Sequence, residues 1–129
     1  MPRRDFDPAT FAADGRPATQ ARLFDPDTPP PWHGFVAGAA LGGAVTVLTY
    51  GTEAIDDGPP LHVHPYDETF VVLVGRAAVL RRRRDARGGG WRGGLRPTGV
   101  PHRFENLGPG RLQTMDIHHA PTWIQTDLD

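Results

Sequence analysis

His62 and His64 stand two residues apart, and Glu68 follows four residues after His64. On an extended strand, residues i and i+2 project from one face, so the two imidazoles would lie side by side with Val63 turned away. Pro65 then bends the chain, and Tyr66 and Asp67 read as an exposed turn. Glu68 opens the β-branched run of residues 69–74, which Gly75 ends, and this run reads as a buried strand. Two imidazoles and a carboxylate entering one strand pair suit a first-row divalent ion. The sequence has no cysteine, so disulfides and thiolate ligands are excluded and any metal must be held by nitrogen and oxygen. All 14 basic residues are arginine, which excludes Schiff-base chemistry on a lysine. A second stretch, residues 97–106, carries Pro97, Gly99, His102 and Asn106.

Together the two stretches resemble the paired motifs of the cupin superfamily. The first motif is His-x-His, three residues, Glu, six residues, Gly, and His62, His64, Glu68 and Gly75 match every spacing. The second is Pro-x-Gly, two residues, His, three residues, Asn, matched by Pro97, Gly99, His102 and Asn106. Two positions depart from the pattern. The glycine expected six residues before the first histidine falls at Asp56, with Gly58 nearby, and the Gly-Asp pair that opens the second motif falls at Trp91-Arg92. The matches cover the middle of the chain, and two motifs in the right order are more specific than one His-x-His.

The resemblance implies an all-β, single-domain jelly-roll barrel. It also implies one divalent transition metal (Fe, Mn, Zn, Ni or Cu) held by His62, His64, Glu68 and His102, with one or two further positions for water or substrate. A closed tetrahedral zinc site is the alternative for the same residues, and ordinary core or surface histidines are another. In small cupins an N-terminal arm often wraps a neighbouring subunit, so a homodimer is implied too.

The elements that would position these residues are short. Residues 1–31 are rich in proline and aspartate and read as an irregular arm, either subunit-wrapping or a flexible tail; residues 32–129 form the compact domain. Within the arm, Asp7 can cap a short helix with Pro8 at its first position, Phe6 and Phe11 have staple spacing, and Gly15 would end it. Pro29, Pro30 and Pro31 make a stiff connector. Residues 44–50 alternate as a strand, and residues 61–64, 102–106 and 112–118 read as others. Residues 69–74 and 77–80 would pair across Gly75-Arg76. Asn106 would cap the turn that follows it. Many short strands with Gly/Pro turns indicate a sandwich or barrel.

Residues 81–94 resist this reading. Four consecutive arginines on a barrel strand would turn two guanidinium groups inward, which is costly without partners. The stretch is either an exposed hairpin tip or the product of two compensating reading-frame slips in a GC-rich gene. Resequencing the gene separates the two.

Strand parity adds candidate pocket residues. Phe70, Val72 and Val74 share the side of Glu68, and Val100 and Phe104 that of His102; they would line a small-molecule pocket or plain core. Glu68, Asp116 and His118 are the candidate acid–base residues, but Met115 and Ile117 are natural core residues, which favours Asp116 and His118 facing outward. His33 reads as an arm contact, and Trp123 and Ile124 as closing one end of the barrel or a subunit interface. A net charge of −1 argues against nucleic-acid or membrane-surface partners. No secretory signal or membrane span is expected, so the expected location is cytoplasmic. The expected function is that of a metal-dependent enzyme on a small organic molecule, either a dioxygenase or a Lewis-acid isomerase, cyclase or decarboxylase. The alternative is a non-catalytic small-molecule or sugar-binding module.

Overall fold

The computed structural model describes residues 2–23, 32–82 and 90–129. The described residues are all-β apart from a capped turn in the arm and one short helix. In chain order the elements are β1 (Trp32–Val36), α1 (Gly38–Leu41), β2 (Thr46–Thr52), β3 (His62–Val63), β4 (Glu68–Val74), β5 (Ala77–Leu80), β6 (Gly93–Arg96), β7 (Arg103–Asn106), β8 (Leu112–His118) and β9 (Thr126–Asp127). The strand predicted over residues 112–118 is β8 itself; β1, β6, β9 and α1 were not anticipated as elements.

The main sheet has five antiparallel strands in the order β1-β2-β8-β4-β6. Two separate two-stranded ribbons, β3-β9 and β5-β7, complete the set. The expected jelly-roll barrel is therefore corrected: no sheet closes on itself among the described residues. Closure needs unbroken hydrogen bonding around the circumference, and proline interrupts it next to the site. Pro59, Pro60 and Pro65 flank β3, and Pro101 precedes β7. What joins β3 to β7 is a single bridge, His62 to His102, with N–H···O distances of 3.0 and 2.9 Å.

The predicted β4–β5 hairpin is also corrected. β4 pairs with β8 and β6, whereas β5 pairs with β7. Gly75 lies between them at φ 84°, and a Cβ there would collide with the Arg111 carbonyl. The turn thus carries the chain out of the main sheet and into the facing ribbon, a path that favours glycine. A register shift between Val72 and Val74 changes the parity of β4 near its end. Val74, expected inside, is consequently exposed.

Tyr50 of β2, Leu112 of β8, Ala77 of β5 and Phe104 of β7 make the apolar core between sheet and ribbon, with Val72 packed on it. The Tyr50 and Phe104 rings meet edge to face at 5.3 Å. Gly58 permits this packing, since a Cβ at that position would overlap the Phe104 carbonyl.

Asn106 is fully buried and organises the turn after β7, as expected. Its side-chain oxygen accepts from Gly108 N–H (2.9 Å), and its amide donates to the carbonyls of Ala54 (3.2 Å) and Gly110 (2.9 Å). Replacement by alanine strands the buried Gly108 N–H and removes two part-buried bonds to carbonyls, so Asn106→Ala should destabilise the protein by ~2 kcal/mol, read as a lower denaturant midpoint at unchanged slope.

In the arm, Asp7 caps a 3-10 turn over Pro8–Thr10, and the Phe6 and Phe11 rings pack at 5.0 Å. The turn stops at Phe11 rather than at Gly15. Further on, Arg16 donates to the Gly42 carbonyl and Thr19 to the Leu41 carbonyl, so this part of the arm lies along its own chain. The proline connector 29–31 and residues 83–89 of the arginine-rich stretch lie outside the described residues. At the end of that stretch, β6 pairs with β4, where Glu68 faces Arg96. No helix among the described residues is long and apolar enough to cross a membrane.

Candidate metal centre

The four residues singled out by the two motifs come together. Ligand-capable atoms of His62, His64, Glu68 and His102 all lie within 4.8 Å of one another, and all four residues are buried. β3 supplies His62, and the segment just after it supplies His64. β4 opens with Glu68, and His102 sits at the head of β7 opposite His62. The His62 and His102 ring centroids are 4.4 Å apart, those of His62 and His64 4.8 Å.

Each of the three imidazoles uses Nδ1 on a backbone carbonyl: His62 on Pro60 (2.7 Å), His64 on Ile124 (2.8 Å), His102 on Val100 (3.0 Å). A carbonyl only accepts, so Nδ1 carries the proton and Nε2 keeps its lone pair. His64 Nε2 and His102 Nε2 are buried without a hydrogen-bond partner. Buried nitrogen lone pairs without donors are unfavourable unless something electrophilic faces them. Three such rings and a carboxylate fit one divalent ion, and the carbonyls fix each ring's orientation.

Electrostatics agree. Burial pushes His62 down to about 4, and the neighbouring imidazoles add to that. Burial likewise lowers His64. His62 therefore stays neutral and able to ligate well below the ordinary histidine range, and His64 is shifted in the same direction. For Glu68, burial would raise the carboxyl, but the neighbouring His102 and His118 rings and the charge of Arg96 outweigh it and hold the carboxyl far below the usual range. Glu68 Oε2 lies 2.8 Å from His102 Nε2 and 3.3 Å from an Arg96 nitrogen.

Three residues read from sequence as peripheral are part of this centre. Asp116 and His118 face inward, not outward: both are buried, whereas Met115 and Ile117 are only half-buried. The inner face of β8 is Leu112, Thr114, Asp116 and His118, in register with β2 and β4. Counting from Leu112 would have given this facing; weighing apolar residues alone misled, because the interior here is partly polar. Tyr66 is buried rather than a surface turn residue, and its hydroxyl meets His118. Asp67 is the surface half of that pair and caps Thr98. Arg96 had no warning in sequence. It is buried with its guanidinium 4.1 Å from the Phe70 ring centre, beside Glu68.

A cavity of about 580 Å³ opens onto the cluster. Glu68, His62, Asp116 and His118 lie at its polar side, and Phe35, Phe104 and Trp123 are among its apolar walls. Of the residues assigned to the pocket by parity, Phe104 lines it; Phe70 is buried under Arg96, and Val100 is half-buried. His33 stands exposed at the rim beside Tyr50, outside the ligand cluster. Trp123, half-exposed, packs on Phe35 at 5.6 Å.

Asp116 is the unusual group in the pocket. Thr114 donates to its Oδ2 (3.2 Å), while Oδ1 is buried without a partner. Burial, then the charge of Glu68, raises its carboxyl to about 7 from an ordinary 3.8. The sign follows from linkage: a folded value above the unfolded one gives stability that is full below the unfolded pKa and lost as pH rises through the folded one. In metal-free protein, Asp116→Asn should therefore gain on the parent by ~4 kcal/mol as pH rises from about 4 to about 8. Denaturation curves of the two proteins at each pH measure the gap; a gap that stays constant would show that Asp116 does not titrate in this range.

No protein-family model matches the sequence, and none of the curated proteins compared with it matches either. Solved structures do match. They include three of oxalate decarboxylase from Bacillus subtilis: a serine-to-alanine mutant (TM-score 0.63), one concerned with the enzyme's Mn(II) centres (0.62) and one at pH 4.6 (0.62). Each is 19% identical over 74% of this chain, and the chain spans 27% of the length of each. At that identity the likeness concerns the fold. It agrees with the motif spacing and the assembled cluster: this chain has the cupin-superfamily fold, without a closed barrel, and a three-histidine, one-glutamate cluster suited to a single divalent metal.

Proposed function

We propose that the protein is a metal-dependent enzyme acting on a small oxygen-bearing organic molecule by proton transfer, with His62, His64, Glu68 and His102 as ligands and Asp116 as the acid–base group. The observation that carries this reading is the unpartnered Asp116 Oδ1 in the cavity beside the cluster. A carboxyl raised to about 7 exchanges a proton readily at neutral pH, which is what general acid–base catalysis needs. A divalent ion held by the cluster would supply Lewis-acid polarisation of a substrate oxygen. The apolar walls around Phe35, Phe104 and Trp123 would exclude water and strengthen the electrostatics inside. Thr114 holds the Asp116 carboxyl through Oδ2, which leaves Oδ1 for the substrate. This favours an isomerase, cyclase or decarboxylase over a dioxygenase. The oxalate decarboxylase likeness is in keeping with the choice but does not carry it. The homodimer implied by the resemblance belongs to the same proposal, and light scattering tests it.

The test is solvent deuterium incorporation into a panel of small keto and hydroxy acids by the metal-loaded protein, read by NMR. We expect exchange in the parent, and a loss of at least ~100-fold in Asp116→Asn with metal content unchanged. Oxygen uptake with Fe(II) would instead establish the dioxygenase. Thermal stabilisation by a panel member without any turnover would establish a binding module.

A further inference from the structure

His118 differs from the three candidate ligands in the way its ring is held. It is buried, its Nε2 lies 3.1 Å from Glu68 Oε1, and its Nδ1 lies 2.6 Å from the Tyr66 hydroxyl. The other three rings give Nδ1–H to carbonyls. The Tyr66 hydroxyl already accepts a hydrogen bond from Ile124 N–H at 3.1 Å. A phenol has one proton to give. If His118 Nδ1–H also donated to that hydroxyl, the phenol proton would lack an acceptor among the described residues. With a neutral ring, Nε2 would also turn a lone pair on the Glu68 carboxylate. A doubly protonated ring removes that clash, but it still strands the phenol proton and adds a cation beside Arg96. The assignment that satisfies every group is Ile124 N–H to Tyr66 Oη, Tyr66 O–H to His118 Nδ1, and His118 Nε2–H to Glu68 Oε1.

We propose that Tyr66 is a positioning residue: by donating to Nδ1 it holds His118 in the Nε2–H tautomer, opposite to that of the three candidate ligands, so that His118 orients the Glu68 carboxylate and stays out of the ligand set. This rests on the ligand assignment proposed above. Glu68 then has its two oxygens divided between jobs. Oε1 accepts the hydrogen bond from His118 Nε2–H, and Oε2 faces His102 and Arg96. The string is anchored at Ile124, whose carbonyl also orients His64. One residue, Ile124, adjacent to Trp123 at the pocket wall, thus sets the ring orientation of one candidate ligand and the carboxylate orientation of another.

The test begins with metal-free 15N-labelled protein at mildly alkaline pH, where long-range 1H–15N correlations report the tautomer of each imidazole. We expect His62, His64 and His102 as Nδ1–H rings and His118 as the Nε2–H ring. In Tyr66→Phe we expect only His118 to change, toward Nδ1–H. Cobalt(II) titration then gives affinity and the visible spectrum. His118→Ala and Tyr66→Phe should each weaken cobalt binding by ~10–100-fold and alter the spectrum, as loss of a group that orients a ligand does. His118→Gln, which keeps an N–H toward Glu68 and has no ring nitrogen to ligate, should restore most of the affinity and the parent spectrum. A merely structural role for the ring predicts no such rescue. An Nδ1–H tautomer for His118 in the parent, or an unchanged His118 in Tyr66→Phe, overturns the proposal. The parent measurement needs no variant to fold. If the tautomers are as expected but the parent binds no cobalt, it is the ligand assignment that fails.

Discussion

Replacing His62 and His102 together by alanine is expected to lower the affinity for a divalent ion by ~10⁴-fold, taking the protein from about one ion per chain to essentially none. The magnitude follows from dividing ~12 kcal/mol for a four-ligand site among its ligands, so two ligands carry ~6 kcal/mol. Both rings belong to the assembled cluster and both keep their Nε2 lone pairs, so neither loss can be made up by the other. Elemental analysis after dialysis, with isothermal titration of the apo protein, measures it. Full metal retention in the double variant would place the ion elsewhere. The same substitution has a second consequence in metal-free protein. A histidine whose folded pKa is depressed, here to about 4, contributes a penalty as pH falls below its ordinary 6.5, because the unfolded chain takes up the proton first. The double variant loses that penalty from His62. Its stability should fall less steeply than the parent's between about pH 6.5 and about pH 4.

Glu68→Gln should destabilise metal-free protein by ~3–5 kcal/mol. Glu68 and Arg96 are both buried, and the guanidinium has two further nitrogens, Nε and Nη2, without partners. Removing the carboxylate charge leaves a buried cation, while Asp116, which also feels that cation, has its carboxyl raised to about 7 by burial and by Glu68. Part of the loss is relieved when Asp116, freed of the Glu68 charge, ionises more easily. The comparison that isolates the pair is the double variant Glu68→Gln/Arg96→Met, which removes both charges and should recover most of the loss. Chemical denaturation of the four proteins in a chelating buffer supplies the cycle. A double variant no more stable than Glu68→Gln would show that Arg96 is held by packing on Phe70 and Phe104 rather than by the carboxylate. The pH dependence has the opposite sign to that of Asp116. A depressed carboxyl stabilises above its unfolded pKa of 4.5 and loses that contribution as pH falls toward its folded value, so the parent should be more acid-sensitive than Glu68→Gln below about pH 4.5.

The ligand cluster was legible in the sequence because it depends on short-range geometry. His62 and His64 share a strand face by parity alone, and Glu68 and Gly75 sit at fixed offsets from them. Asn106 was legible as a turn organiser for the same reason: its partners lie within a few residues, apart from Ala54. β8 was read to the residue, but its facing was not. Which face of an alternating strand turns inward depends on what it packs against, and here the interior is a polar site, so the apolar side, Met115 and Ile117, was left half-exposed.

What the sequence by itself determined is the set of side chains that could bind a metal and the strands that carry them. Only the tertiary structure decided how the sheet ends, and which further groups surround the cluster. Pairing β5 with β7 rather than with β4, and the proline-limited β3, leave the sheet open where a barrel was expected. Tyr66 and His118 are 52 residues apart, Glu68 and Arg96 28, and His64 and Ile124 60. Contacts at such separations leave no local periodicity or spacing to read; they exist because the register of β4 against β6 and β8 brings Glu68, Arg96 and His118 into one cross-strand row.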